Sequence, residues 1–238
     1  MRRPRDVRRA AWRALLATTS VLAIVAAGCS SSGSNAFPVG VLDPQRLATV
    51  GLLTLDAFPP PWRAVANRAD PNGFDRCPEA GPALTRGRKA RATSPEFADG
   101  DVEQAEQSVS VYDSPAGAAL VMRTVRLPAF RQCLQSLLTT AAQQNLTATH
   151  SAPATVEATV APLRSRPRGA ERVSYRVTVT ITDPRGSTVQ YVDVDMMRVD
   201  RVVVALLAQR RGQPPTVDRD RLLGILVARI DAANASQG

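Results

Sequence analysis

The chain has 238 residues, of which 44% are hydrophobic, enough to form a substantial apolar core. Its 30 basic residues outnumber 21 acidic ones, for a formal net charge of +9. Residues 1–28 hold six of the arginines and one aspartate, so residues 29–238 carry 24 basic and 20 acidic side chains, or +4. Aromatic residues make up 4% of the chain, too few for a base-stacking surface. Composition therefore argues against a nucleic-acid partner.

The N-terminus has the three parts of a bacterial export signal. An arginine-rich head precedes an uncharged run from Ala14 to Gly28, and small residues lead into Cys29. A membrane-spanning helix needs roughly 20 apolar residues, so this run is too short for a permanent anchor. Ala26 to Cys29 (AAGC) resembles the bacterial lipobox, with Ala26 where leucine is usual, and this resemblance implies acylation of Cys29 by diacylglycerol and palmitate. Ordinary secretion, with cleavage near Ala27, is the alternative.

These features predict how the chain is divided and where the protein is located. Residues 1–28 are the signal peptide, residues 29–40 are the acylated cysteine and a flexible tether, and residues 41–238 are a single domain. Dual acylation holds a protein stably on a bilayer. We therefore expect a lipid-anchored protein on the extracytoplasmic face of the cell membrane. Its partners would be the membrane itself and an envelope lipid, glycan or protein ligand.

The first part of the domain is predicted to contain one short helix and much irregular chain. Asp43 and Pro44 are typical of a helix N-terminus. Three prolines before Trp62 exclude a helix or central strand, and Trp62 is interpreted as a core anchor. Residues 67–101 are interpreted as a long irregular connection around Cys77. A basic cluster there is either a solvated loop or a docking site for an anionic head group or polymer. Its members are Arg86, Arg88, Lys89 and Arg91.

The middle of the chain predicts a strand followed by two helices. Residues 106–112 alternate valine with serine, which indicates a strand, and residues 155–163 are a weaker strand candidate. Ser114 is the predicted N-cap of a helix to about Arg126. Pro128 begins a second helix, whose apolar residues recur at spacings of three and four. This apolar stripe consists of Phe130, Cys133, Leu134, Leu137, Leu138 and Ala141.

Only two cysteines remain once Cys29 is set aside. Two cysteines in an exported chain favour one disulfide, so Cys77 and Cys133 are predicted to be joined. The alternative is two separate buried thiols. A metal site would need more ligands than these cysteines and the single histidine supply, and no metal or cofactor is expected.

The strongest strand signals lie between residues 172 and 209. From Val173 to Ile181, apolar residues at odd positions alternate with polar ones, which predicts a half-buried strand. A turn at residues 183–186 leads into a return strand to about Met197, where a phase change at Tyr191 and Val192 indicates a bulge or twist. Residues 202–208 are continuously apolar, as in a central strand covered on both faces.

A final helix and the order of the elements define the predicted fold class. Thr216 or Asp218 caps this helix, and its apolar face consists of Leu222, Leu223, Leu226, Val227 and Ile230. The order is helix, strand, two helices, strand meander, helix. It predicts an α+β fold in which an antiparallel sheet, including a C-terminal meander, packs against several helices.

Four segments together resemble a known group of bacterial proteins. They are Leu55 to Trp62, Tyr112 to Ser114, Phe130 to Leu134, and Ser174 to Val177 with its closing helix. This combination is similar to lipoproteins that resemble the extracellular sensor domain of a receptor Ser/Thr protein kinase of high-GC Gram-positive bacteria. The likeness covers about residues 41–231. It implies a sheet flanked by helices, a cleft and disulfide bonding, of which this chain can form only one bridge.

No arrangement of residues in the sequence identifies a catalysed reaction. His150 is the sole histidine and is interpreted as an exposed loop residue, and no nucleophile elbow or phosphate-binding loop occurs. Asp193 and Asp195 project from one face of a strand and are interpreted as a solvated sheet face, with an acid–base or calcium role as the alternative. We therefore expect a non-enzymatic, sensor-like binding domain. A lipid or glycolipid carrier and an envelope hydrolase are the alternatives.

Overall fold

The computed structural model describes residues 43–66, 73–149, 154–166 and 171–235. The predicted signal peptide and tether, Cys29 and His150 lie outside these ranges. The helices are α1 (Pro44–Val50), α2 (Gly81–Thr85), α3 (Pro115–Val125), α4 (Pro128–Thr149) and α5 (Arg219–Ala235). The strands are β1 (Arg63–Val65), β2 (Arg88–Thr93), β3 (Glu96–Asp99), β4 (Glu103–Tyr112), β5 (Thr155–Pro162), β6 (Glu171–Asp183), β7 (Gly186–Val199) and β8 (Val202–Arg211).

Side-chain caps begin the helices where the sequence places them. Asp43, Ser114 and Asp218 each accept a hydrogen bond from a backbone N–H in the first turn of α1, α3 and α5, at 3.0, 3.1 and 2.9 Å. Each cap satisfies an amide that has no partner within its helix. Asp218 is thus the cap of α5, whereas the backbone N–H of Thr216 donates to Glu103 of β4 at 2.7 Å.

The strands form one antiparallel sheet, as predicted. Its order is β1-β3-β4-β8-β7-β6-β5, and β2 pairs with β4 beside β3. The C-terminal meander of β6, β7 and β8 forms one side of the sheet, and β8 joins it to β4. The expected α+β fold is therefore confirmed.

One local prediction is wrong, and one of two alternatives is excluded at a second position. Residues 67–101 are not an irregular connection, because their described part contains α2, β2 and β3, and β2 is a short strand paired with β4. No bulge occurs at Tyr191 and Val192, since β7 keeps one register against β6 and β8 throughout. The phase change in the sequence arises because residues 192–197 are buried on both sides of the sheet.

Helices cover both faces of the sheet and enclose two cores. One core lies between the sheet and α1 and α5, on what we call the α5 face; the other lies beneath α3 and α4, on the α4 face. Val202, Val204 and Leu206 of β8 are buried on the α5 face, while Val203 and Ala205 are buried on the α4 face. This two-sided burial confirms the predicted central strand.

Trp62 is the core anchor that the sequence predicts. Its ring is half-buried and packs against the core of the α5 face. It stacks on Phe58 with ring centroids 5.0 Å apart, and Phe58 stacks on the buried Phe97 at 4.4 Å. The aromatic row ties the proline-rich segment to β3 by apolar contact.

β6 shows the predicted alternation, with one exception. Tyr175, Val177 and Val179 are buried on the α4 face, whereas most even-numbered residues remain partly exposed. Ser174 is buried because its hydroxyl donates to Asp195 beneath α5. The alternation is confirmed where no helix covers the second face.

A pair of substitutions in β6 tests this register. Val177 is fully buried, so Val177→Asp places an unpaired charge in the core and should lower the free energy of unfolding by about 3 kcal/mol or more. Thr178→Asp, the matched control on the other face, should lower it by about 1 kcal/mol at most. Urea unfolding of both variants measures the difference. Equal losses would contradict the one-sided burial of β6.

Candidate ligand-binding cleft

A cleft of about 660 Å³ opens on the α4 face, between α4 and the strands β2, β4 and β8. α4 packs mainly on β5 and β6, so it leaves part of β4 and β8 uncovered. Glu106 of β4 and Leu207 of β8 are partners in register and form the floor. A cleft of this volume suits a small molecule or a single hydrocarbon chain.

The apolar stripe of α4 forms one wall. Phe130 and Leu134, near the N-terminus of α4, are fully buried in the core. One turn later, Leu137 and Leu138 are only half-buried, and both line the cleft with Ala141. The three-and-four spacing that makes α4 amphipathic thus carries the stripe out of the core and into an open space.

A disulfide closes one end of the cleft. Cys77 and Cys133 are bonded, which confirms the predicted bridge and excludes two separate thiols. The bond ties the loop before α2 to the second turn of α4, and Phe74 of that loop meets Phe130 edge-on at 5.9 Å. Residues of the same loop, including Glu79, line the rim. The cleft therefore has a covalently held end.

Glu106 places an ionisable group on the cleft floor. Its buried Oε2 has no hydrogen-bond partner among the described residues. Burial and, secondly, the charge of Glu96 raise the pKa of Glu106 to about 7, and the charge of Arg91 opposes them. Near neutral pH this carboxyl group therefore exists in both protonation states.

The four residues of the basic cluster lie in two different environments. The two terminal guanidinium nitrogens of Arg88, Nη1 and Nη2, donate to the carboxylate of Asp75 at 3.0 and 2.8 Å. Nη1 of Arg91 donates to the same carboxylate at 3.0 Å. Arg86 and Lys89 are exposed. Arg91 lines the cleft, but docking of an anion by the four residues stays a prediction.

Asp193 and Asp195 are not on a solvated face, and that interpretation is wrong. Both are 0% exposed on the α5 face. Arg172 donates to Asp195 at 2.7 and 2.9 Å, Arg176 donates to Asp193 at 2.7 and 2.8 Å, and Arg219 of α5 contacts both aspartates. Paired arginines compensate the buried charges, so the network attaches α5 to the sheet.

The alternation of residues 106–112 predicts the strand but gives no role to Glu106 on its polar side. Val109 and Val111 face the α5 core, as their alternation requires, whereas Glu106 and Ser108 lie on the α4 face, in the part of β4 that α4 leaves open. Polar residues on a strand face beside an amphipathic helix are therefore consistent with a lined cleft. It becomes visible only when the covering helix is known.

Within the described ranges, no group of three or more histidine, cysteine, aspartate or glutamate residues could hold a metal ion. None of the described helices is long and apolar enough to cross a bilayer. The ionisable side chains that line the cleft are Arg76, Glu79, Arg91 and Glu106.

Solved structures that resemble this chain do so weakly. No protein-family model matches the sequence, and no curated protein does. The chain is similar to the extracellular domain of PknH from Mycobacterium tuberculosis, at 12% identity over 81% of this chain and 96% of that chain, with a TM-score of 0.41. It is also similar to an Rv0999 ortholog from Mycobacterium smegmatis, at 14% identity over 80% and 98%, with a TM-score of 0.36. Likenesses of this strength assign no function, so the functional evidence has to come from the cleft.

The raised pKa of Glu106 predicts how stability depends on pH. Because the folded state holds its proton up to about pH 7, whereas the unfolded chain loses it near 4.5, stability should fall as pH rises between these values. Glu106→Gln should match the wild type at about pH 4 and be more stable by about 1 to 3 kcal/mol at about pH 8. Urea unfolding at both pH values measures this. The exposed Glu157→Gln is the control, and a gain from Glu106→Gln that is the same at both pH values would contradict the prediction.

Proposed function

We propose that this protein is a non-enzymatic ligand-binding protein of the cell envelope, lipid-anchored at Cys29, whose ligand occupies the cleft beneath α4. The observation that carries the proposal is the apolar stripe of α4, which leaves the core and lines an open space with Leu137, Leu138 and Ala141. A polar group stands opposite, on the floor, at Glu106. Binding pockets combine these two features: an apolar lining and a few polar groups that orient the ligand.

Folding alone gives no reason for this arrangement. Apolar surface left in water forgoes about 25 cal/mol for each Å² that burial would cover. A buried carboxyl oxygen without a partner also lowers stability. A ligand with an apolar chain and a polar head would relieve both defects at once, because its chain would cover the leucines and its head would meet Glu106.

The anchoring part of the proposal rests on the sequence of the N-terminus. The arginine-rich head, the short uncharged run and the small residues before Cys29 together support lipid attachment. Anchoring would keep the cleft close to the molecules of the membrane surface and envelope. An amphiphilic ligand is most concentrated in that location.

A substitution that fills the cleft tests ligand binding. Ala141 lines the cleft and is exposed, so Ala141→Trp adds bulk there without disturbing the core. We expect the neutral fluorescent probe N-phenyl-1-naphthylamine to bind the wild type and to bind Ala141→Trp at least roughly tenfold more weakly, a loss of about 1.4 kcal/mol. Gln135→Trp, an exposed position of α4 that does not line the cleft, is the matched control.

Three results would count against this proposal. Equal binding by the two tryptophan variants would place the probe outside the cleft. Absence of binding to the wild type would mean that the cleft is not a binding site for apolar ligands of this kind. Turnover of generic esters or glycosides that is lost in Glu106→Gln would instead identify an envelope hydrolase with Glu106 as its acid. Native mass spectrometry of the purified protein adds a direct search for a bound lipid.

A separate substitution tests the anchor. Cys29→Ala removes the thiol that would carry the lipid, so the protein should move from the detergent phase to the aqueous phase in a detergent-partition assay. Cys133→Ala, which removes a disulfide-bonded cysteine of the folded domain, is the control and should stay in the detergent phase. A Cys29→Ala protein that remains in the detergent phase would contradict lipid attachment at this residue.

A further inference from the structure

The charges around Glu106 indicate which head group the cleft accepts. Burial raises the pKa of Glu106 and the positive charge of Arg91 on β2 lowers it, but Arg91 also binds the carboxylate of Asp75, which it shares with Arg88. Glu96 on β3 adds a second negative charge beside Glu106. The guanidinium groups of Arg88 and Arg91 already bind Asp75, so ionised Glu106 places a second negative charge beside that of Glu96.

Among the described residues that line the cleft, the other elements contribute either charges of both signs or none. At the rim, Arg76 and Glu79 carry opposite charges. β8 contributes Leu207, and the residues of α4 that line the cleft are all uncharged. The polar ones among them are Gln132, Ser136, Thr140 and Gln144.

An ionised carboxylate can only accept hydrogen bonds. The buried Oε2 of Glu106 lacks a donor among the described residues, so a ligand that donates a hydrogen bond to it would satisfy this oxygen. An ammonium group supplies both N–H donors and a positive charge, and charge-assisted hydrogen bonds are the stronger kind. A carboxylate or phosphate head would instead meet repulsion from ionised Glu106 on the floor.

We propose, on the basis of the proposed function, that the cleft binds amphiphilic amines: an alkyl or acyl chain lies along the leucines of α4, and its ammonium head donates to Glu106. The chain would contact Leu134, Leu137 and Leu138, while the head would reach the floor between β2 and β8. The polar side of β4 would thus bind the head group of the ligand, and the exposed end of the apolar stripe would bind its alkyl or acyl chain.

This arrangement makes binding depend on pH with a defined sign. The pKa of Glu106 is about 7 in the free protein, whereas an alkylamine stays protonated up to about pH 10. The affinity for the amine should therefore rise as pH increases through neutrality, because the ammonium group selects the ionised form of Glu106. A fatty acid would select the protonated form and show the opposite slope.

The experiment compares dodecylamine, dodecanol and dodecanoate as competitors of N-phenyl-1-naphthylamine, each below its micelle concentration. For the wild type, the affinity for dodecylamine should rise at least roughly tenfold between about pH 5.5 and pH 8, and the affinity for dodecanol should not change. Glu106→Gln should abolish the rise, Glu106→Asp should keep part of it, and the exposed Glu157→Gln should keep all of it. Unfolding measured at about pH 4, where Glu106 is protonated, establishes that the variants at this position are folded.

The outcomes separate this inference from the proposed function. Competition by all three chains with equal, pH-independent affinity would overturn the amine preference and leave the cleft as a site for apolar chains. Tighter binding of dodecanoate at low pH would also overturn it, by assigning Glu106 to acidic head groups. Failure of every chain to displace the probe, or displacement that Ala141→Trp does not weaken, would overturn the proposed function itself.

Discussion

The position of α4 is the constraint on which the cleft depends. Phe130 and Leu134 bury the N-terminal part of the helix in the core, and the Cys77–Cys133 bond joins the same part to the loop before α2. A disulfide limits how far its two segments can separate, so this end of α4 stays against the loop. The rest of the helix runs over β5 and β6 instead of crossing β4. The uncovered strip of β4 and β8 is the direct result.

The buried carboxyl groups on the two faces of the sheet differ in their hydrogen-bond partners. On the α5 face, Asp193 and Asp195 are buried but held by arginines at hydrogen-bond distance, as buried charges require. On the α4 face, one oxygen of Glu106 has no such partner among the described residues. Native proteins satisfy nearly all buried polar groups, so an exception calls for its own explanation. The satisfied network serves the attachment of α5, whereas the unsatisfied carboxyl group is available to a ligand.

The sequence was sufficient for features that depend on local pattern. Helix caps at Asp43, Ser114 and Asp218, the β6 alternation and the two-sided burial of β8 all follow from residues close together in the chain. Features that depend on long-range packing were missed. Asp193 looks like a surface residue until α5 brings Arg219 to it, and β2 looks like a loop until β4 provides its pairing partner. Glu106 belongs to the same group, because only the path of α4 turns its side of β4 into a cleft floor.

Because the sheet lies between the two cores, stability and binding are carried by different parts of the molecule. The α5 face contains Leu222, Leu226 and Ile230, fully buried against β4 and β8, together with the ion-pair network. Those contacts lie away from the cleft, since no residue of the α5 helix lines it. The half-buried leucines of α4 can therefore change their surroundings without repacking that core. A domain built this way can carry an imperfectly packed, partly unsatisfied site on one face, because the other face supplies the packing that holds the sheet together.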